Sequence, residues 1–324
     1  MSVDQLERSA GGGLDGVAPQ EEGLANAIVR WDKDSIVKAC LPLEAQLHPP
    51  LQHRNIIPAW KEDADSCAWR KRGAPLLRMP LAWGGDLLRT LMRHGTRQWP
   101  SAHIHHIMHQ LCSAVAFCHA QGLFHLDIKC ENVLLRDGEY RGTAAEPPPN
   151  VWLADFGSSL LFENGGLGKS RSIQRMLRTV GTPCTAPPEA VIVHSMPCVG
   201  AMGAPIDVWG LGLVLYNMVT RHGLMDATTL AWLNNRPGNS FVTVQTHINR
   251  CFAQARKRTD IDHALLTVAQ RALQANPIVR CTLRDLRLAF AAVGGGGVSS
   301  LGRQAAAIGR QKLTTKAWRG AAAQ

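Results

Sequence analysis

The spacing of apolar residues divides the chain into an irregular first quarter and a strongly patterned remainder. Ile104, Ile107, Met108, Leu111, Val115 and Cys118 recur at intervals of three and four, the period that lays one stripe of an α-helix on a core. That spacing predicts a helix running to His119 and ended by Gly122. Asp207 to Tyr216 is almost continuously apolar, which predicts a helix buried on every side. Further helices are expected from about residue 228 to 293. Val151-Trp152-Leu153 reads as a strand, and the Gly- and Pro-rich stretch Arg136 to Asn150 before it as a turn with a small insertion.

Patterning is weaker upstream. Residues 1–30 read as β-rich, with Ala27 to Trp31 the best strand, and Leu43 to Leu47 as a short helix that Pro49 and Pro50 cut off. The polar stretch 61–75 reads as an exposed connection, and Leu76 to Leu87 as a strand, a turn and a helix start. The expected architecture is α+β and two-lobed. A small β-rich lobe spans residues 1–79, a larger helical lobe 80–292, and a low-complexity basic tail 293–324.

Composition narrows the function classes. Hydrophobic residues make up 45% of the 324 and charged residues 19%, a globular mix with no apolar run near the ~18 residues of a membrane span. Met1 to Gly13 is polar and glycine-rich and lacks the pattern of a secretory signal, so a cytoplasmic protein is expected, with the nucleus also open. Nine cysteines without a C-x-x-C pair argue against a disulfide framework or zinc ribbon. His105 and His109 sit one helical turn apart, but no third metal ligand lies nearby in sequence. Net charge is +10, and Arg303, Arg310, Lys312, Lys316 and Arg319 meet no acid in the tail. Such a tail suits an anionic partner, nucleic acid or membrane, or is simply solvated.

The chemistry concentrates in His125-Leu126-Asp127-Ile128-Lys129-Cys130-Glu131-Asn132-Val133-Leu134-Leu135. A carboxylate there can accept a hydroxyl proton, an ammonium can neutralise a phosphate, and a carboxamide oxygen can ligate a divalent cation. That set suits phosphoryl transfer to an alcohol. The stretch resembles the H-R-D-L-x-x-x-N catalytic loop of eukaryotic protein kinases, with Leu126 in place of Arg. Ala154-Asp155-Phe156-Gly157 after the strand resembles D-F-G, and Gly181-Thr182-Pro183 to Pro188-Glu189 resembles G-T-P-x-Y-x-A-P-E. Asp207 to Tyr216 resembles D-V-W-S-L-G-x-x-L-Y, and Asn276-Pro277 to Arg280 the late motif whose arginine pairs with the Glu189 position. Upstream, Gly11, Gly13 and Gly16 satisfy a glycine-loop pattern, and Met79 to Leu87 resembles the hinge run that ends in G-G-D-L.

The resemblance implies a serine/threonine protein kinase, of calcium/calmodulin- or AMP-activated-kinase type. It would bind ATP and Mg²⁺ and act on a protein substrate. Asp127 would accept the hydroxyl proton, Lys129 would stabilise the moving phosphoryl group, and Asn132 and Asp155 would hold Mg²⁺. Gly11, Gly13 and Gly16 would cover the phosphates. Met79, Ala82 and Leu134 would surround adenine. The phosphate-gripping lysine falls on Arg30 in this alignment, with Lys33 and Lys38 next in line if the register shifts, and Glu44 would be its ion-pair partner. Arginine is not interchangeable with lysine at such a site, so an inactive kinase-like binding scaffold is the alternative reading. A leucine at position 126 cannot receive an activation-segment phosphate, which makes activity independent of phosphorylation at Ser170, Ser172 or Thr179 the expectation.

Overall fold

The computed structural model describes residues 28–30, 34–39, 42–62, 75–161, 185–191, 203–224 and 241–291. Its first part is an antiparallel sheet of β1 (Ile28–Arg30), β2 (Ser35–Ala39), β3 (Trp60–Glu62) and β4 (Leu76–Pro80), in the order β1-β2-β4-β3. Helix α1 (Pro42–Leu47) packs against this sheet and stops short of Pro49 and Pro50. A small apolar cluster of Ala45, Ile57, Ala59, Leu77, Met79 and Ala154 joins helix to sheet, with Leu134 and Trp152 against it.

The strand β3 corrects the reading of residues 61–75 as a connection from its first residue. It is an edge strand of three residues with Trp60 half exposed, so it carries no apolar alternation to betray it. Arg78 of β4 holds it by an ion pair to Glu62 at 3.1 Å and by lying 5.9 Å over the Trp60 ring.

The helical part begins with α2 (Leu87–Arg93) and α3 (Ser101–Ala120). Two short antiparallel pairs follow: β5 (Leu123–Phe124) with β8 (Leu160–Leu161), and between them in the chain β6 (Val133–Leu135) with β7 (Val151–Leu153). After α4 (Pro188–Val191) come α5 (Gly203–Thr220), α6 (Phe241–Ala255), α7 (His263–Ala272) and α8 (Leu283–Ala289). Helix α5 is buried over most of its length, as its continuous apolarity predicts. Its glycines allow close approach: a Cβ on Gly210 would lie 2.6 Å from the Ile128 carbonyl, and one on Gly212 would lie 2.8 Å from Ala272. The first of these sets the stretch around Ile128 directly on the core helix.

Polar side chains fix the seams. Asn55 donates to Gln110 at 2.6 Å and to the Val151 carbonyl at 3.1 Å, which binds the segment after α1 to α3 and β7. His109 bonds the Phe290 carbonyl at 2.8 Å and the His105 ring packs on Phe290, so this pair of histidines fastens α3 to the end of α8. Among the described residues no group of three potential metal ligands gathers, and no helix is long and apolar enough to cross a membrane.

Candidate active site

The stretch from His125 to Asn132 leaves β5, passes through a single 3₁₀ turn at Cys130–Asn132 and enters β6. Leu126 takes a left-handed conformation, φ 65°, which costs a non-glycine residue about 1–2 kcal/mol. Buried Asp207 on α5 compensates. Its carboxylate accepts the His125 N–H at 3.0 Å and the Leu126 N–H at 2.7 Å, and also meets His119 Nε2 at 2.7 Å. The orienting role implied for Asp207 is thus visible in its contacts, and His119 joins it unforeseen. The fully buried His125 ring points Nε2 at the Ala154 carbonyl, 3.1 Å away, and takes the Asp127 N–H on Nδ1 at 3.4 Å.

These constraints aim the polar side chains at one another. Lys129 Nζ donates to Asp127 Oδ2 at 2.8 Å. Asn132 Nδ2 donates to the Asp127 carbonyl at 2.8 Å and to its Oδ2 at 3.3 Å. With its nitrogen so engaged, Asn132 has its amide oxygen left for a cation. The Ala154 N–H bonds the Asn132 carbonyl at 2.9 Å, and this bond sets the end of β7 beside the loop. Asp155 then turns through φ 65°. A Cβ on Gly157 would sit 3.2 Å from Asp155 Oδ1 and 3.4 Å from Glu44 Oε2, so glycine leaves room for two carboxylates there.

The cation between those carboxylates is Lys38. Its Nζ donates to Glu44 at 3.0 and 3.2 Å and to Asp155 Oδ1 at 2.7 Å. Burial opposes its charge, but the Asp155 and Glu44 carboxylates outweigh burial and hold the ammonium above the ordinary lysine value. Burial also opposes the Asp155 charge, and Lys38 overcomes it, so that carboxyl lies below the usual range. Glu44 shares the same ammonium; burial dominates there and leaves its carboxyl raised.

This corrects the ion pair expected between Arg30 and Glu44: the cation that meets Glu44 is Lys38, the later of the two alternative lysines. Arg30 lies on β1 in register with Ile36, whereas Lys38 on β2 faces Glu44. Glu44 keeps its expected role with a different partner. Ala27-Ile28-Val29-Arg30 resembles the strand motif of the family, but the lysine that reaches Glu44 precedes it by only six residues. The signal was present: Ser35-Ile36-Val37-Lys38 puts a lysine after two β-branched residues. Lys38 thus supplies the lysine–glutamate ion pair that the Arg30 alignment lacked.

A protein kinase domain model matches residues 21–288 of the sequence. The chain belongs to the eukaryotic serine/threonine protein kinase family. It is 30% identical over 215 residues to testis-specific serine/threonine-protein kinase 3 of Mus musculus, covering 65% of this chain and 68% of that one. It is 32% identical over 155 residues to CBL-interacting protein kinase 4 of Oryza sativa, covering 48% of this chain and 30% of that protein. CBL-interacting serine/threonine-protein kinase 8 of Arabidopsis thaliana is 28% identical over 204 residues, covering 63% and 38%. The matches thus span only about a third of the length of those two plant relatives.

In this kinase, Met79 and Leu134 come together at the small cluster between sheet and loop. Ala82 lies in the turn after β4, where its carbonyl accepts the Gly85 N–H at 3.0 Å and its own N–H has no protein acceptor among the described residues. Farther away, Arg280 grips Glu189 through both nitrogens at 2.6 and 2.8 Å with the two side chains fully buried, as the paired motifs imply. Gly11, Gly13 and Gly16 lie outside the described residues, as do Lys33, Thr182, Ser170, Ser172, Thr179 and the basic tail.

Proposed function

We propose that this kinase transfers the γ-phosphoryl group of MgATP to a serine or threonine hydroxyl of a protein substrate. The observation that carries the reading is Lys38 held between Glu44 and Asp155, since a lysine so fixed can grip nucleotide phosphates.

The side chains fit the nucleotide and its metal. Glu44, Asp127 and Asp155 set three carboxylates against the ammonium groups of Lys38 and Lys129, which leaves one negative charge in excess. Hard oxygen donors with surplus negative charge suit a divalent cation, and Asn132 and Asp155 would hold it. When bound, Mg²⁺ supplies neutralisation of the β- and γ-phosphate charge. The Ala82 N–H offers a donor to adenine, and Met79 and Leu134 offer apolar walls. Asp127 takes the substrate hydroxyl proton, and Lys129 at 2.8 Å from it meets the charge on the phosphoryl group.

The test is incubation of the full chain with radiolabelled MgATP and a degenerate peptide pool, followed by phosphoamino-acid analysis. Label is expected on serine and threonine and absent with Asp127→Asn. Label confined to tyrosine, or equal labelling by the variant, would overturn the proposal.

A further inference from the structure

Directly after α1 stands His48, which is fully buried. Its Nε2–H donates to the Ile57 carbonyl at 2.8 Å, and its backbone N–H bonds the Glu44 carbonyl at 2.9 Å. Its Nδ1 is buried without a hydrogen-bond partner. The ring centroid lies 4.7 Å from that of Phe156, and Phe156 meets His125 edge-on at 4.8 Å. A column of three rings therefore connects the helix carrying Glu44, the segment carrying Asp155 and the loop carrying Asp127.

The bond to Ile57 places the single ring proton on Nε2. A second proton would have to go on Nδ1, where the structure provides no acceptor, and would bury a charge. The charged and titratable groups facing the ring do not relieve this. Lys38 on β2 and His125 in the catalytic loop oppose a positive imidazole, Asp155 after β7 favours one, and Glu44 on the same helix is engaged with Lys38. Burial, the largest effect, pushes the ring down to about 4.

We propose that His48 makes assembly of the kinase site acid-sensitive. The closed arrangement admits only the neutral ring. An opened arrangement, with the end of α1 lifted from Phe156 and His48 in water, admits the second proton. The proposal rests on the reading of this cluster as the phosphotransfer site. The closed form has the lower pKa, so its advantage is complete above about pH 6.5 and is lost progressively as pH falls towards about 4. Between pH 7.5 and 5.5 the opening equilibrium should rise about tenfold.

Hydrogen exchange on the full chain reads that equilibrium directly. Exchange of the α1 amides and of the His48 N–H, corrected for the intrinsic pH dependence, would be followed from pH 7.5 to 5.5, with the α7 amides as internal reference. In the wild type the α1 opening constant should rise about tenfold relative to α7, and in His48→Leu by less than twofold. A flat wild-type profile, or an equal rise in the variant, would overturn the proposal. Should His48→Leu not fold, His48→Met takes its place, and the wild-type comparison of α1 with α7 decides by itself. Neither nucleotide nor substrate is present in this measurement, so its failure and a failure of phosphoryl transfer are separately visible.

Discussion

Replacing Lys38 with methionine would remove one ammonium from between two carboxylates. The Lys38 and Glu44 side chains are 6% and 2% exposed, so their separation leaves an uncompensated charge in the interior, a loss of about 3–5 kcal/mol. The contact to Asp155 adds little to that figure, since its carboxylate is 38% exposed and water can replace the lysine. Glu44 can also take up a proton, to which burial already predisposes it, so the lower end of the range, about 3 kcal/mol, is expected. Adding Glu44→Gln should recover most of that stability. Activity should behave differently: without the ammonium on the phosphates, transfer should fall by about 10²- to 10³-fold in the single and the double variant alike. Urea unfolding followed by circular dichroism reads the first quantity, and incorporation of radiolabelled phosphate reads the second. Arg30→Ala serves as the control and should lie within about twofold of wild type and ~0.5 kcal/mol. If Arg30→Ala abolished transfer while Lys38→Met preserved it, the assignment of the phosphate-gripping residue would be wrong.

Gly210→Ala should push on the Ile128 carbonyl, 2.6 Å from the added carbon, and so shift the loop between Asp127 and Lys129. Steady-state kinetics should show a fall in kcat of tenfold or more, with a cost of about 1–3 kcal/mol in a thermal melt. Glu189→Ala should strand the buried Arg280 and destabilise the chain by about 3–5 kcal/mol, whereas converting both partners to well-fitting apolar residues should be close to neutral in the same melt. Alanine at Ser170, Ser172 and Thr179 together should leave turnover within about twofold in the radiolabel assay, because buried Leu126 offers no charge to an activation-segment phosphate.

Legibility in the sequence followed the locality of the chemistry. Asp127, Lys129 and Asn132 lie within one short loop, and Asp155 follows a three-residue apolar strand, so each falls in a short contiguous motif that the resemblance to the kinase pattern could pair with the other. The α3 stripe and the unbroken apolarity of α5 likewise foretold the core, because both helices are long enough for a period to emerge. The first lobe lacks such redundancy. Its strands run to three or five residues, too short to set a register by alternation, and a slip of one strand exchanged Arg30 for Lys38. The contacts of His119 with Asp207 and of His48 with Phe156 arise from residues 88 and 108 positions apart in the chain. No local pattern encodes such meetings; they emerge when α5 and the segment after β7 pack on the earlier helices.

The role of Asp127 is tested most directly by single-turnover transfer from saturating MgATP to a phosphorylatable peptide, measured for wild type and Asp127→Asn with nucleotide affinity determined in parallel. Affinity is expected to match in the two proteins while the transfer rate of the variant drops by about 10²- to 10⁴-fold, the contribution of a positioned general base. Equal transfer rates at equal occupancy would contradict the role given to Asp127 and, with it, the site built around that residue.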